Sequence, residues 1–140
     1  MSDFIRPVNP GGSTIPGLSQ AMLVEDGSLL FLSGHVPLDA NGALAGVELD
    51  VQLRQVFENI RATLESANTD FSNVVRLTIY VRDFQPDELD LIRSIRDEFV
   101  DKSRPPASAL IGVAALFRTD VRVEVDAVAV VRSPGPEKAN

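Results

Sequence analysis

Cysteine is absent from the 140-residue sequence, and histidine occurs once, as His35. The missing thiols exclude disulfides, thiolate zinc sites and a cysteine nucleophile, and they fit a reducing compartment. A single imidazole also leaves too few nitrogen ligands for a histidine-based metal site. We therefore expect chemistry that uses neither a thiol nor a metal.

Positive charge and aromatic side chains are scarce. The chain has 13 Lys and Arg against 20 Asp and Glu, a net charge of −7, no tryptophan and one tyrosine. Nucleic acids and anionic membranes require a basic surface, and single strands also require stacking aromatic residues. No apolar run approaches the ~20 residues of a membrane span, and the first residues lack a signal-peptide core. We expect no nucleic-acid partner, no membrane partner and a cytoplasmic location.

The hydrophobic periodicity predicts a single α+β domain over residues 1–140 with the order β-β-α-β-α-β-β. One mixed sheet would carry two helices on one face. Proline and glycine predict an irregular arm over residues 1–17, and residues 133–140 are predicted to be disordered. An Asp26-Gly27 turn predicts a hairpin between the first two strands. The remaining elements are predicted as strands over 19–24, 29–33 and 74–81, helices from Asp50 to about Ala67 and from Pro86 to before Pro105, and two strands in the last third.

The second sheet face would remain uncovered although it is partly apolar, with Met22 and Leu110 among its residues. Such a face usually finds a partner, so we expect an oligomer.

Two carboxylates in the last strand are the best chemical candidates. Residues of a strand alternate between faces, which places Glu124 and Asp126 on one face roughly 6.5–7 Å apart. The alternative interpretation is that both are simply solvated. His35 has two open interpretations as well, a general base or a hydrogen-bonded structural histidine. Ser33 and Ser108 would be nucleophiles only beside a base, and neither lies in a nucleophile-elbow pattern.

Four segments together resemble the RidA (reactive intermediate deaminase, YjgF) family over roughly residues 16–132. The family shows a Ser-Gly-Gln-Ile/Val-Pro pattern where this chain has Ser33-Gly34-His35-Val36-Pro37. The other three segments are the helix residues 55–61, the strand residues 74–83 and the final Val-Glu-Val-Asp-Ala-Val-Ala at 123–129.

This resemblance implies a chorismate-mutase-like fold and a homotrimer whose sheets form a central barrel with three clefts between subunits. Members hydrolyse reactive enamines and imines to a keto acid and ammonia, without a metal or organic cofactor. Glu124 matches the acid that positions the attacking water, and Ser33 and Gly34 match the cleft. The backbone near Ala109 and Leu110 is expected to hold a small-molecule metabolite.

The chain also departs from the family pattern. Ser108 follows Pro106-Ala107, where the family has an arginine that grips the substrate carboxylate, and Leu18 replaces a tyrosine of the same cleft. Losing a charge-assisted pair costs on the order of 2–5 kcal/mol of binding. Arg104 would substitute only if the proline corner aimed it into the cleft.

Two hypotheses follow from these residues. The first is a RidA-like hydrolase that acts on a C=N or C=C–N bond, with Glu124 activating water. The second is a non-catalytic trimer of the same fold that binds a metabolite or a protein. RNA cleavage, a third activity attached to the family, is opposed by the acidic charge.

Overall fold

The secondary structure comes from a computed structural model that describes residues 4–12 and 15–132. It confirms the α+β class with two helices and a mixed sheet. In chain order the elements are β1 (Ile5–Val8), β2 (Ala21–Val24), β3 (Ser28–His35), α1 (Leu49–Ser66), β4 (Val74–Arg82), α2 (Leu89–Asp97), β5 (Ala107–Val113) and β6 (Val123–Val131).

The main sheet has the strand order β3-β6-β4-β5. Strands β4 and β5 are parallel, whereas β6 is antiparallel to both of its neighbours. The parallel pair requires a crossover connection, which α2 supplies. Strands β3 and β5 are the edges of this sheet, and β6 lies next to β3.

The core lies between α1 and one face of this sheet. In α1 the apolar residues recur with the helical period, and Leu53, Phe57 and Ile60 are fully buried. In β6 the period is two, and Val123, Val125, Ala127 and Ala129 are buried against the helices. Each large buried side chain stabilises the fold by about 1.5–3 kcal/mol, so this pattern fixes which face of β6 points outward.

The N-terminal arm differs from the prediction. Residues Ile5–Val8 form a strand, β1, which pairs antiparallel with β2 in a separate two-stranded sheet. Phe4 and Ile5 are buried in a second apolar cluster with Val75 and Val130, and this burial orders the arm despite its prolines. The remaining predictions for residues 1–3, 13–14 and 133–140 lie outside the described residues.

The predicted hairpin between β2 and β3 is wrong. A turn does follow β2, but β2 pairs with β1 and β3 pairs with β6. Turn chemistry marks where the chain reverses, whereas pairing depends on which strands bury their apolar faces together.

The second helix ends at Asp97, several residues before the Pro105-Pro106 pair that was predicted to stop it. The N–H groups of Glu98 and Phe99 donate to carbonyls three residues back, so the last turn tightens to 3-10 geometry. Phe99 then stacks on Phe57 with 5.0 Å between ring centroids. Neither helix in the described part of the chain has the length and hydrophobicity of a membrane span.

The outer face of the main sheet carries exposed apolar side chains. Leu29 and Phe31 of β3 are 53% and 73% exposed, and Ile111 of β5 is 42% exposed. These residues alternate along their strands with residues of the helix-covered face. The part of the face around Phe31 and Ile111 is therefore apolar and uncovered in a single chain, whereas Val130 of the same face is buried with Phe4 and Ile5.

Candidate functional site

A β-bulge in β3 is the starting point of the site. Leu32 lies opposite Ala127 and His35 lies opposite Val125, so β3 advances three residues while β6 advances two. The extra residue falls within Ser33-Gly34, just before the last pair of the two strands. Bulges bend a strand and re-aim its groups, and they are frequent beside active sites.

The carboxylate of Glu124 lies directly against Gly34. A Cβ atom built on Gly34 would stand 1.9 Å from Glu124 Oε2 and 2.8 Å from its carboxyl carbon. Only glycine therefore leaves room for this carboxylate, and the structure brings together Gly34 and Glu124. Glu124 is half-buried, and within the described residues its carboxylate makes no hydrogen bond or ion pair with another side chain.

Asp126, the second carboxylate on this face, is already engaged. The Tyr80 hydroxyl donates to Asp126 Oδ2 at 3.3 Å, and Tyr80 lies opposite Glu124 in the register of β4 and β6. Burial, followed by the negative charge of Asp126, raises the pKa of the Tyr80 phenol above its usual value. Tyr80 is therefore a neutral hydrogen-bond donor at physiological pH.

His35 is the residue that follows the bulge in β3. Its Nδ1 is 2.7 Å from the Ser33 carbonyl oxygen, and its Nε2 is 2.7 Å from Thr63 Oγ1 on α1. The ring is thus hydrogen-bonded at both nitrogens, as the structural interpretation of this histidine expected.

Ser108 and Leu18 lie together, but away from Glu124. Ser19 donates through its amide to the Pro106 carbonyl at 3.0 Å, which places Leu18 beside the start of β5. Ser108 is opposite Leu77 on the helix-covered face, whereas Glu124 is opposite Tyr80 on the outer face. Two strand spacings and three residues separate them, roughly 14 Å between Cα positions. A single chain does not unite these residues in one site.

Among the described residues, the outward edge of β5 is bridged only at Ala107, by Ser19. Because β5 is an edge strand, the backbone groups around Ala109 and Leu110 that face away from β4 lack a ladder partner in this sheet. Ala109 lies on the outer face with Ile111, and Leu110 packs against the core.

Arg104 lies elsewhere. Its Nη2 donates to the Ser72 carbonyl at 2.6 Å and its Nη1 to the Ile5 carbonyl at 3.4 Å, so the guanidinium ties β1 to the segment before β4. The start of β4 and Tyr80 are roughly 20 Å apart along the strand, which keeps Arg104 far from the Glu124 of its own chain.

No group of three or more His, Asp or Glu side chains within the described residues is arranged to hold a metal ion. What the arrangement offers instead is one carboxylate without a side-chain partner, a neutral phenol nearby and a glycine against which the carboxylate lies. Such a set can accept and return protons. Reasoning from the sequence placed Tyr80 only on the polar side of its strand and did not single out Thr63, because neither strand neighbours nor helix placement can be read from local patterns.

Comparisons with known proteins agree with this fold. The family model described as endoribonuclease L-PSP matches residues 13–131. The protein AldR of Lactococcus lactis, which is named as a regulator, is 35% identical over 106 residues, 75% of this chain and 81% of AldR. The 2-iminobutanoate/2-iminopropanoate deaminase of Salmonella typhimurium is 29% identical over 111 residues, 78% of this chain and 84% of that enzyme.

A solved structure is similar over nearly the whole chain. The crystal structure of YyfB from Yersinia pestis, a protein of unknown function in the conserved Rid family, superposes with a TM-score of 0.86 at 32% identity. The match covers 91% of this chain and 99% of YyfB. The fold thus defines a protein of the Rid type. The chain belongs to the endoribonuclease L-PSP family, which is the YjgF/RidA family.

Proposed function

We propose that this protein is an enamine/imine deaminase that hydrolyses a reactive C=N intermediate to a carbonyl compound and ammonia. The observation that carries the proposal is the unengaged Glu124 carboxylate beside Gly34. A relative with 29% identity is named as a 2-iminobutanoate/2-iminopropanoate deaminase, which supports the same reaction class.

The chemistry requires one group that moves protons. An enamine first takes a proton from solvent at carbon and becomes an iminium ion. Water then adds to the C=N carbon, the resulting carbinolamine loses ammonia, its hydroxyl proton returns to solvent, and the carbonyl compound remains. Glu124 would take the proton from the attacking water and deliver it to the leaving nitrogen. Proton transfer by a positioned carboxylate typically contributes 10²–10⁴-fold.

A complete site would be built by two copies of the chain. Glu124 and Gly34 form one half, and Leu18, Ser108 and the outward edge of β5 form the other. Because roughly 14 Å and a change of sheet face separate the halves within one chain, they would meet only across an interface. The exposed apolar outer face supports a homotrimer with clefts of this kind.

Serine at position 108, in place of the family arginine, should change which substrates the cleft binds. A serine hydroxyl donates one hydrogen bond, whereas the guanidinium that the family carries there binds a carboxylate in bidentate fashion. We infer that the substrate is an imine whose carboxylate is held more weakly or is absent.

The test is an ammonia-release assay with 2-iminobutyrate or a neutral imine generated in situ. Glu124→Gln should lower kcat at least 10²-fold for whichever imine the protein hydrolyses. Asp126→Asn, a matched change two residues along the same strand, should retain activity within a few-fold. Equal losses in the two variants would show that Glu124 has no special role.

A second function rests on the same serine. Ser108 leaves the β5 half of the cleft without its family cation, and AldR, at 35% identity, is named as a regulator. A non-catalytic trimer that binds a small metabolite would fit both observations. Activity that is absent in the natural protein and appears with Ser108→Arg would favour this function over the enzyme.

RNA cleavage is outside the proposal although the family's description contains it. The net charge of −7 opposes a phosphate-binding surface, and we expect no nucleic-acid partner.

A further inference from the structure

The only histidine of the chain joins the bulge to a helix, and the proposed reaction does not use it. His35 contacts the Ser33 carbonyl oxygen through Nδ1 and Thr63 Oγ1 through Nε2, both at 2.7 Å. The family pattern that this chain resembles has glutamine at this position.

The two partners fix where the imidazole carries its proton. A carbonyl oxygen only accepts hydrogen bonds, so Nδ1 must be protonated to bond Ser33. In the neutral ring Nε2 is then the acceptor, and the Thr63 hydroxyl donates to it. In the cationic ring Nε2 donates to Thr63, whose hydroxyl can donate to the Asn59 carbonyl 3.2 Å away. Nδ1 keeps its proton in both charge states.

Helix α1 also holds the segment that follows the bulge. Asn59, one turn before Thr63, donates through Nδ2 to the carbonyls of Val36 and Leu38, each at 2.9 Å. The segment after the bulge is therefore held to α1 at two successive turns. His35 extends this attachment into the bulge itself, because it bonds the carbonyl of Ser33.

The bulge in turn positions the carboxylate. In the chain, Gly34 lies between Ser33, whose carbonyl bonds the imidazole, and His35 itself. Glu124 Oε2 occupies the space where a Cβ atom on Gly34 would be. A movement of Gly34 by a few tenths of an ångström would close or open that space. The position of the carboxylate therefore depends on how firmly the bulge is held.

We propose that His35, as the Nδ1–H tautomer, is a positioning residue that holds the Ser33-Gly34 bulge and thereby sets the location of the Glu124 carboxylate. The kinetic consequence rests on the proposed function, whereas the tautomer and the location of the carboxylate do not.

The first test is direct, because one histidine gives one set of ring signals. Two-bond ¹H–¹⁵N correlation NMR of the uniformly ¹⁵N-labelled protein, at a pH where the ring is neutral, should show a protonated Nδ1 and an unprotonated Nε2. Free histidine favours the opposite tautomer. An Nε2–H tautomer would overturn the proposal whatever the activity of the protein.

The second test separates the two hydrogen bonds of the ring. Asparagine places its amide NH₂ at the position of Nδ1, and glutamine places its own at the position of Nε2, because the numbers of bonds from Cα are equal. His35→Asn should therefore leave the ¹³C signal of the Glu124 carboxyl and the Gly34 amide signal near their natural positions. His35→Gln should shift both. Equal shifts in the two variants, or none, would contradict the positioning role.

Kinetics supply the third arm. His35→Gln should lower kcat about fivefold, as expected for one lost hydrogen bond, and leave KM within twofold, whereas His35→Asn should keep both. An unchanged kcat in His35→Gln would refute the kinetic consequence. If the natural protein hydrolyses no imine, the proposed function fails, and the two NMR tests still decide the role of His35.

Discussion

The contact between Gly34 and Glu124 makes Gly34→Ala the most informative substitution. The added Cβ would stand 1.9 Å from Glu124 Oε2, whereas carbon and oxygen atoms approach to about 3.3 Å. The carboxylate must therefore retreat by about 1.4 Å. Since a misplacement of 1 Å can cost 10²-fold in rate, we expect kcat to fall about 10²-fold.

Stability should change little in the same variant. Gly34 does not adopt a positive φ, so alanine fits its backbone. The atom that must move is the far end of a flexible side chain, and an off-rotamer glutamate costs about 0.5–1.5 kcal/mol. Alanine offsets this by about 0.4–1 kcal/mol through the reduced entropy of the unfolded chain. Urea denaturation should thus give a free energy of unfolding within about 1 kcal/mol of the natural protein.

The assay is imine hydrolysis followed by ammonia release, with Gly112→Ala as the control. A Cβ at Gly112 would meet its nearest atom, Phe84 Cβ, at 3.4 Å, which is an ordinary contact. In the Glu124→Ala background, Gly34→Ala should cause no further loss, because the displaced group is gone. Full activity in Gly34→Ala, or additive losses in the double variant, would refute the placement of the catalytic carboxylate.

Three further predictions concern stability and assembly. The hydrogen bond from Arg122 lowers the pKa of Glu88 below its usual value, so its stabilising contribution is present above about pH 4.3 and is lost as the pH falls through the lowered folded pKa. Glu88→Gln should therefore lower the denaturation midpoint at pH 7, and its difference from the natural protein should shrink as the pH falls through the lowered folded pKa; a difference independent of pH would contradict this. Arg104→Met should lower the free energy of unfolding by about 1.5–3 kcal/mol in urea titrations, since it removes hydrogen bonds from a charged group, and a raised KM at unchanged stability would contradict the placement of that guanidinium. Phe31→Glu should convert the proposed trimer to monomers in light scattering, whereas Leu91→Glu, at an exposed apolar position on α2, should not; a trimer that survives Phe31→Glu would exclude the outer sheet face as the interface.

The class of fold could be predicted because it depends on local periods. The stripe of Leu53, Phe57 and Ile60 and the alternation around Val125 are each visible within one element, and burial of those faces leaves few arrangements. The pairing of the strands could not be predicted in the same way. The partner of β2 is β1, whose ordering depends on the burial of Phe4 and Ile5 against distant residues, and no local pattern reports such contacts.

The candidate site, too, could be predicted only in part from the sequence. The resemblance selected Glu124 and Gly34 separately, but their contact requires β3 beside β6 and a bulge of one residue, neither of which follows from spacing along the chain. It also assigned Ser108 to the same cleft between subunits, and within one chain the register of β5 places Ser108 on the opposite face of the sheet from Glu124. Alternation predicts which residues share a face within a strand. It does not predict how the alternations of different strands are aligned.

The environments of the two outer-face carboxylates assign them different tasks. Asp126 accepts a hydrogen bond from Tyr80, so one of its oxygens is occupied and its orientation is fixed. Glu124 has the glycine gap instead, where no side chain competes for its oxygens. Two acids on neighbouring same-face positions would repel each other if both were aimed at one substrate. Tyr80 holds Asp126 by its hydrogen bond, and Glu124 is left as the carboxylate that we propose meets water. Tyr80→Phe removes the hydrogen bond to Asp126 and should therefore make the two carboxylates more alike. Asp126→Asn should then lower activity more in the Tyr80→Phe background than in the natural protein.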